Sequence, residues 1–212
     1  VIVFVKSAYT EDAVRGAAAL IGPKTLILTV QNGLGNAQKI GAIVGADKVV
    51  AGVTSHGGTM LGPGQVRHAG RGETVIGPLT GKVTPQVIAL ADTLTTAGLE
   101  TKAVDSVDSL VWSKLLVNAG INALTAILRC PNGELPKHAA TKALVQAAVE
   151  EGARVATAKN IKLIHADPVA HCLEVAELTA ANLSSMHQDV RAKRRTEVDV
   201  INGAIVAEGE KL

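Results

Sequence analysis

The sequence predicts an α/β domain in residues 1–105 followed by an all-helical domain in residues 106–212. Two observations lead to this prediction. Apolar strand-like segments alternate with helix-like segments up to about residue 105, which is typical of a parallel sheet covered by helices. Beyond residue 106 only helical periodicity continues. A chain of 212 residues is long enough for two domains of this size.

The elements of the first half follow from local patterns. The β-branched run VIVFVK predicts a buried strand. A helix is predicted from about Thr10 to Leu20, a strand from Thr25 to Val30, and a second helix in AQKIGAIVG after the turn QNGLGN. The segment KVVAGVTSHGG predicts another strand, GQVRHAGRGETVIGP predicts short strands in a hairpin or edge extension, and Pro85 to Ala97 predicts an amphipathic helix.

In the second half, helical segments are separated by CPNGELP, KNIKLIHADP and NLSSM. The composition has 47% hydrophobic residues, a net charge of +2 and three aromatic residues other than histidine, so neither nucleic acid nor a membrane is an expected partner. The cysteines Cys130 and Cys172 are far apart and no metal-ligand spacing occurs, so reduced thiols, a cytoplasmic location and no metal are expected.

The helical stretch WSKLLVNAGIN contains three polar residues at intervals of four, Lys114, Asn118 and Asn122. On an α-helix these side chains form one stripe, while leucine, valine and isoleucine take the other directions. One interpretation is a lysine that extends to water beside two asparagines that bond to nearby backbone. The other is a functional stripe whose lysine is partly desolvated. Desolvation would lower the lysine pKa and a nearby carboxylate would raise it, and the sequence leaves the sign open.

Two glycine-containing turns follow predicted strands. Asn32 lies in QNGLGN and Gly58 ends TSHGG. Ligands of open α/β sheets bind at the carboxyl ends of strands, where glycines allow close backbone approach. The alternative for both segments is an ordinary turn that uses asparagine and glycine for positive φ.

The segment SSMHQDVRAKRRTEVDVING contains two capping-box patterns, Ser185 with Gln188 and Thr196 with Asp199. Ser185, and Glu197 next to Thr196, are therefore candidates for local helix capping. The basic run from Arg191 to Arg195 is typical of a solvated face, with attraction of an anionic ligand as the alternative.

Four features occur in order along the chain: a lysine at position 6 ahead of NGLG, then GVTSHGG, WSKLLVNAGINALTAILRCPNGEL and SSMHQDVRAKRRTEVDVING. With this combination, the sequence resembles the ketopantoate reductase (2-dehydropantoate 2-reductase) family across essentially all 212 residues. The resemblance implies a partial, doubly wound Rossmann domain and a helical domain like that of 6-phosphogluconate dehydrogenase, with the active site in the cleft between them. It also implies NADPH-dependent reduction of 2-dehydropantoate to (R)-pantoate in the pathway to pantothenate and coenzyme A. A homodimer is one possible assembly.

The resemblance also implies roles for individual residues. Lys114 matches the proton donor of the family. The substrate-binding positions are matched by Asn32, Asn118, Asn122, Asn132 and Ser185. The cofactor-binding positions are matched by Lys6, Asn32, Gly58 and Glu197.

The sequence departs from the family at its front. The family begins with G-x-G-x-x-G and, further on, a basic residue for the 2′-phosphate of the cofactor, and neither occurs here. The chain also begins at Val1, inside a predicted strand. We therefore expect an incomplete copy that lacks autonomous cofactor binding. The alternatives are a related 2-oxo or 3-hydroxy acid reductase, and a truncated chain that only binds ligand or forms oligomers.

Overall fold

The computed structural model describes residues 1–212, apart from the side chains of Thr59 and Ala69. The chain forms two compact units. The first comprises Val1–Gln31 and Asn36–Val107, and the second comprises Asn32–Gly35 and Asp108–Leu212. We call them the α/β unit and the helical unit. The predicted order of an α/β region followed by helices is confirmed.

The α/β unit contains a four-stranded sheet in the order β1-β2-β5-β6 and a two-stranded sheet formed by β3 and β4. The strands are β1 Ile27–Thr29, β2 Val49–Thr54, β3 Gly57–Gly62, β4 Gln65–Gly70, β5 Thr74–Pro78 and β6 Thr101–Ala103. The segment GQVRHAGRGETVIGP forms short strands as predicted, β4 and β5, but these two strands do not form a hairpin with each other: β4 pairs with β3, and β5 pairs with β2 and β6.

The larger sheet is mixed and not wholly parallel. β1 pairs parallel with β2, and β5 pairs parallel with β6, but β2 and β5 are antiparallel. The hairpin β3–β4 connects β2 to β5 without a crossover helix, and such a connection returns the chain in the opposite direction.

The prediction of a buried strand in VIVFVK is wrong in its burial. The segment forms a single parallel bridge, between Ile2 and Leu28, beside β1. Val3 is 5% exposed, whereas Ile2 is 59% and Phe4 is 64% exposed. Side chains alternate between the two faces of an extended chain, so only the face of Val3 is covered in this unit. Within the described residues, the run is therefore covered on the face of Val3.

Three α-helices pack on the sheet, α1 Thr10–Gly16, α2 Asn36–Val44 and α3 Pro85–Thr96. The helix predicted from Thr10 to Leu20 ends early at Gly16, a residue with low helix propensity, and continues as a 3₁₀ turn at Ala18–Leu20. Thr84 caps α3 because its side chain accepts a hydrogen bond from the amide of Val87.

The regular elements of residues 108–212, all described by the structure, are helices. The α-helices are α4 Asp108–Leu128, α5 Ala139–Ala158, α6 Pro168–Leu178, α7 Ser185–Arg191 and α8 Asn202–Gly209. Short 3₁₀ helices occur at Asn132–Lys137 and Val198–Val200. α4 has the length and hydropathy of a membrane-spanning helix, but half of its most apolar window is buried within the structure. It is the central helix of the unit, packed against α5, α6 and α7.

Candidate functional site

The predicted polar stripe lies on α4. Successive members are four residues apart, which is about 6 Å along the helix axis and close to one turn. Lys114 and Asn118 are half-buried, and Asn122 is buried with 6% exposure. The neighbouring residues Leu115 and Leu116 are each 1% exposed and point into the apolar core of the helical unit. The helix therefore holds polar groups along one edge of a core that is otherwise apolar.

Burial lowers the pKa of the Lys114 ammonium from its ordinary value of 10.5. Desolvation disfavours the charged form of a lysine, so the ammonium loses its proton more readily than an exposed lysine does. The structure thus gives the sign that the sequence left open. A lysine with a lowered pKa transfers its proton at a pH closer to neutrality, as a general acid requires.

Asn122 meets a residue from a different helix. Its side-chain amide donates to the hydroxyl of Ser185 at 3.4 Å, across 63 positions of sequence. The two substrate-binding candidates are therefore brought together by the fold of the helical unit.

The suggestion that Ser185 caps its helix is wrong. Ser184 is the N-cap of α7, and its hydroxyl accepts a hydrogen bond from the amide of His187 at 3.1 Å. Because the helix starts one residue earlier than the capping-box pattern suggested, Ser185 is the first helical residue and its hydroxyl faces Asn122 instead.

The turn Asn32–Gly35 belongs to the helical unit, although it follows a strand of the other unit. Gly33 and Gly35 have positive φ values of 84° and 86°, which agrees with the turn interpretation of the glycines. The amide of Leu34 donates to the carbonyl of Val200 at 2.8 Å, and the Leu34 side chain packs on the helical core. These contacts fix the backbone that presents Asn32.

Glu197 lies close in sequence to Val200, the residue that accepts the bond from Leu34, and immediately precedes the 3₁₀ helix Val198–Val200. Its carbonyl accepts the amides of Val200 and Ile201 at 3.2 and 3.1 Å, so the backbone and not a capping-box side chain closes this turn. The segment that contains Glu197 therefore adjoins the turn that contains Asn32, through Val200.

The basic run next to Glu197 is partly neutralised by ion pairs. Arg194 pairs with the buried carboxylate of Asp189 at 3.2 Å. Arg195 pairs with Asp199 at 2.9 Å. The solvated-face interpretation fits this arrangement better than attraction of an anionic ligand.

Asn132 is buried and linked to a different part of the helical unit. Its side-chain amide donates to the hydroxyl of Thr179 at 2.9 Å, and its backbone amide donates to the carbonyl of Asn182 at 3.0 Å. Its side-chain oxygen is buried without a protein partner among the described residues. These bonds anchor the loop after α4 to the end of α6, so a contact of Asn132 with substrate stays a prediction.

Lys6 and Gly58 lie in the α/β unit. Lys6 follows the segment that runs parallel beside β1, at the carboxyl end where ligands of such sheets bind. Gly58 is an exposed residue of β3, opposite His68. A Cβ atom there would meet only Val66, at 4.0 Å, so the described packing does not require glycine at this position.

Solved structures with this fold match almost the whole chain. A PanE/ApbA family ketopantoate reductase from Ralstonia eutropha JMP134 is 34% identical with a TM-score of 0.88, and the match covers 99% of this chain and 68% of that one. A complex of D-mandelate dehydrogenase with NADH is 31% identical with a TM-score of 0.92, covering 99% and 72% of the two chains. A Rossmann-like α/β unit followed by this helical unit places the chain in a class of two-unit oxidoreductases.

The family descriptions narrow the class. The family "Ketopantoate reductase PanE/ApbA" matches residues 1–81, and "Ketopantoate reductase PanE/ApbA C terminal" matches residues 106–212. The 2-dehydropantoate 2-reductase of Halobacterium salinarum is 42% identical over 206 residues, which cover 97% of this chain and 67% of that protein. The chain belongs to the ketopantoate reductase family. It spans about two thirds of the length of such curated relatives.

Proposed function

We propose that this chain is the larger part of an NADPH-dependent 2-dehydropantoate 2-reductase, which forms (R)-pantoate for pantothenate and coenzyme A synthesis. The observation that supports it most is the stripe on α4. A partly desolvated lysine with a lowered pKa lies on the same helix edge as Asn118 and Asn122. Membership of the family and the names of the relatives support the same activity.

Reduction of a 2-oxo acid turns the carbonyl oxygen into an alkoxide that needs a proton. A bound nicotinamide cofactor would supply the hydride. Lys114 would stabilise the negative charge that develops on the oxygen and donate the proton, which a neutral amide cannot do. Asn118, Asn122 and Ser185 would orient the substrate through hydrogen bonds without adding charge.

One observation in the α/β unit supports the assignment of the cofactor side. Lys6 stands at the carboxyl end of a parallel pair, which is where sheets of this kind bind nucleotides. We assign the cofactor side to Lys6, Asn32, Gly58 and Glu197, and infer a cytoplasmic location in keeping with the free cysteines.

A second candidate substrate is the 2-oxo acid that corresponds to mandelate. The observation in its favour is the likeness to D-mandelate dehydrogenase, whose solved complex contains NADH. This candidate differs from the first in both the side chain of the oxo acid and the cofactor.

The test is a panel of 2-oxo acids assayed with NADPH and with NADH. Because the chain spans only part of its relatives, each assay should use the chain alone and the chain joined to the part of the H. salinarum reductase that lies outside the match. We expect the joined chain to have its highest kcat/KM with 2-dehydropantoate and NADPH. A preference for the mandelate-type oxo acid with NADH would favour the second candidate. Inactivity of the joined chain with every pair would refute both and leave a ligand-binding or oligomerisation role.

A further inference from the structure

Two buried hydroxyl groups lie directly behind the contact between Asn122 and Ser185. Thr125 is 0% exposed and Ser184 is 6% exposed. The hydroxyl of Thr125 donates to that of Ser184 at 2.7 Å, across 59 positions of sequence. These two groups join α4 to α7 at the depth of the core.

Each hydroxyl is also bonded to the backbone that presents a candidate site residue. The Thr125 hydroxyl lies 3.1 Å from the carbonyl of Asn122, one turn earlier on α4. The Ser184 hydroxyl lies 3.5 Å from the same carbonyl. Ser184 in turn accepts the amide of His187 and so fixes the first turn of α7, where Ser185 is. The pair therefore sets where Ser185 stands relative to Asn122.

Apolar contacts alone would keep α7 docked. Met186 on α7 is 3% exposed and lies in the same core cluster as Ile121 and Leu116 of α4. Apolar packing is not directional, whereas a hydrogen bond weakens steeply when its distance or angle changes. The hydroxyl pair accordingly adds precise placement to an association that burial already stabilises.

We propose that Thr125 and Ser184 are positioning residues of the reductase site, holding Asn122 and Ser185 at the separation that binds the carboxylate of a 2-oxo acid. This inference rests on the proposed function. It adds two residues that the proposed function does not include, Thr125 and Ser184. Neither hydroxyl touches the substrate, because both act through Asn122 and Ser185.

The first test compares Thr125→Val with Thr125→Ser in the joined chain described above. Valine keeps the shape of threonine and loses the hydroxyl, while serine restores it. The Thr125 hydroxyl also lies 2.8 Å from the carbonyl of Ile121, four residues earlier. Thr157→Val is the matched control, because the Thr157 hydroxyl donates to the carbonyl of Ala153, four residues earlier, at 2.9 Å on the exposed face of α5. We expect Thr125→Val to raise KM for the oxo acid about tenfold, the factor that corresponds to 1.4 kcal/mol. Cofactor affinity should be unchanged, and Thr125→Ser and Thr157→Val should stay near the parent values.

The second test asks whether Thr125 acts through Ser185. In a double-mutant cycle, Thr125→Val should cost much less when Ser185 is already alanine, because the group it positions is gone. A purely structural role predicts a lower melting temperature with an unchanged KM, or effects of the two changes that simply add. Either result would overturn the proposal.

A third measurement tests, without any substrate, whether Thr125 positions Ser185 relative to Asn122. The side-chain amide of Asn122 should change its NMR chemical shift in Thr125→Val and keep it in Thr157→Val, since only the first moves its partner Ser185. An unchanged Asn122 resonance would refute the positioning role even if the enzyme is active. If the joined chain without substitutions reduces no oxo acid, the proposed function fails, while the Asn122 resonance still tests the positioning role.

Discussion

The amide of Leu34 donates a hydrogen bond to the carbonyl of Val200 at 2.8 Å, which ties the turn Asn32–Gly35 to the segment that contains Glu197. Gly33 makes this approach possible. A Cβ atom at Gly33 would lie 2.5 Å from the Val200 carbonyl oxygen, closer than real contacts allow. The turn can thus approach Val200 this closely because position 33 has no side chain.

Replacing Gly33 by alanine should therefore displace the turn, and Gly35→Ala provides a matched control. Both glycines have positive φ, but a Cβ atom at Gly35 meets nothing within 4 Å. Gly35→Ala should cost only the left-handed backbone strain, about 1–2 kcal/mol. Gly33→Ala should cost about 1–3 kcal/mol more, the usual cost of overpacking. Urea unfolding of the two variants measures the difference, and equal losses would show that the Val200 contact tolerates a side chain.

Close packing inside the helical unit gives a second prediction. A Cβ atom at Gly120 of α4 would lie 2.7 Å from the sulfur of Cys172 and 2.9 Å from Val149. Gly120→Ala should reduce the free energy of unfolding by about 1–3 kcal/mol. Gly209→Ala on α8 is the control, because its nearest neighbour, Val155, would lie at an ordinary 3.4 Å. A Gly120→Ala variant as stable as the control would mean that α5 and α6 shift to make room.

The lowered pKa of Lys114 predicts how stability depends on pH. The unfolded chain keeps this proton up to about the ordinary pKa of 10.5, whereas the folded chain releases it at lower pH. Between the two pKa values the unfolded state binds more protons, so the free energy of unfolding rises with pH. Below the pKa that Lys114 has in the folded chain, the ammonium is charged and the cost of its desolvation lowers stability in full.

Lys114→Met removes that cost, so we expect a higher melting temperature at pH 7 and a weaker rise in stability toward pH 10.5. Lys142→Met, at an exposed position of α5, is the control and should leave both unchanged. Thermal unfolding across this pH range measures the effect. A lower melting temperature in Lys114→Met would show that favourable interactions of the ammonium outweigh its desolvation.

Patterns confined to one helix were predictable from the sequence. The stripe of Lys114, Asn118 and Asn122 follows from helix geometry alone, and the structure shows all three on α4. The cap of α7 was missed by one residue because adjacent serines offer the same local signal, and the contact with α4 decides which of them is used.

Features that depend on distant segments could not be predicted in this way. The exposure of Ile2 and Phe4 depends on what packs on the sheet edge, and the apolar sequence alone predicted burial. The antiparallel pairing of β2 with β5 depends on the path of the chain through the hairpin between them. The pairing of Asn122 with Ser185 joins residues 63 positions apart, and only the resemblance to a family suggested that they act together.

The last prediction concerns catalysis by Lys114 in the joined chain. Lys114→Ala should lower kcat by at least 10²-fold, about 2.7 kcal/mol of transition-state stabilisation, because the alkoxide loses its proton donor. Cofactor affinity should change little. In the parent enzyme, kcat should fall at alkaline pH with an apparent pKa below 10.5, since burial lowers the pKa of the lysine and only its protonated form donates.

Asn118→Ala should act differently and mainly raise KM, since it removes binding shared by the ground state and the transition state. The two changes should be non-additive in the double variant, because both side chains would meet the same substrate about one helical turn apart. A lysine that merely extends to water predicts altered stability with catalysis almost unchanged. Steady-state kinetics on the folded single and double variants distinguish these outcomes, and a near-normal kcat in Lys114→Ala would rule out the lysine as the proton donor.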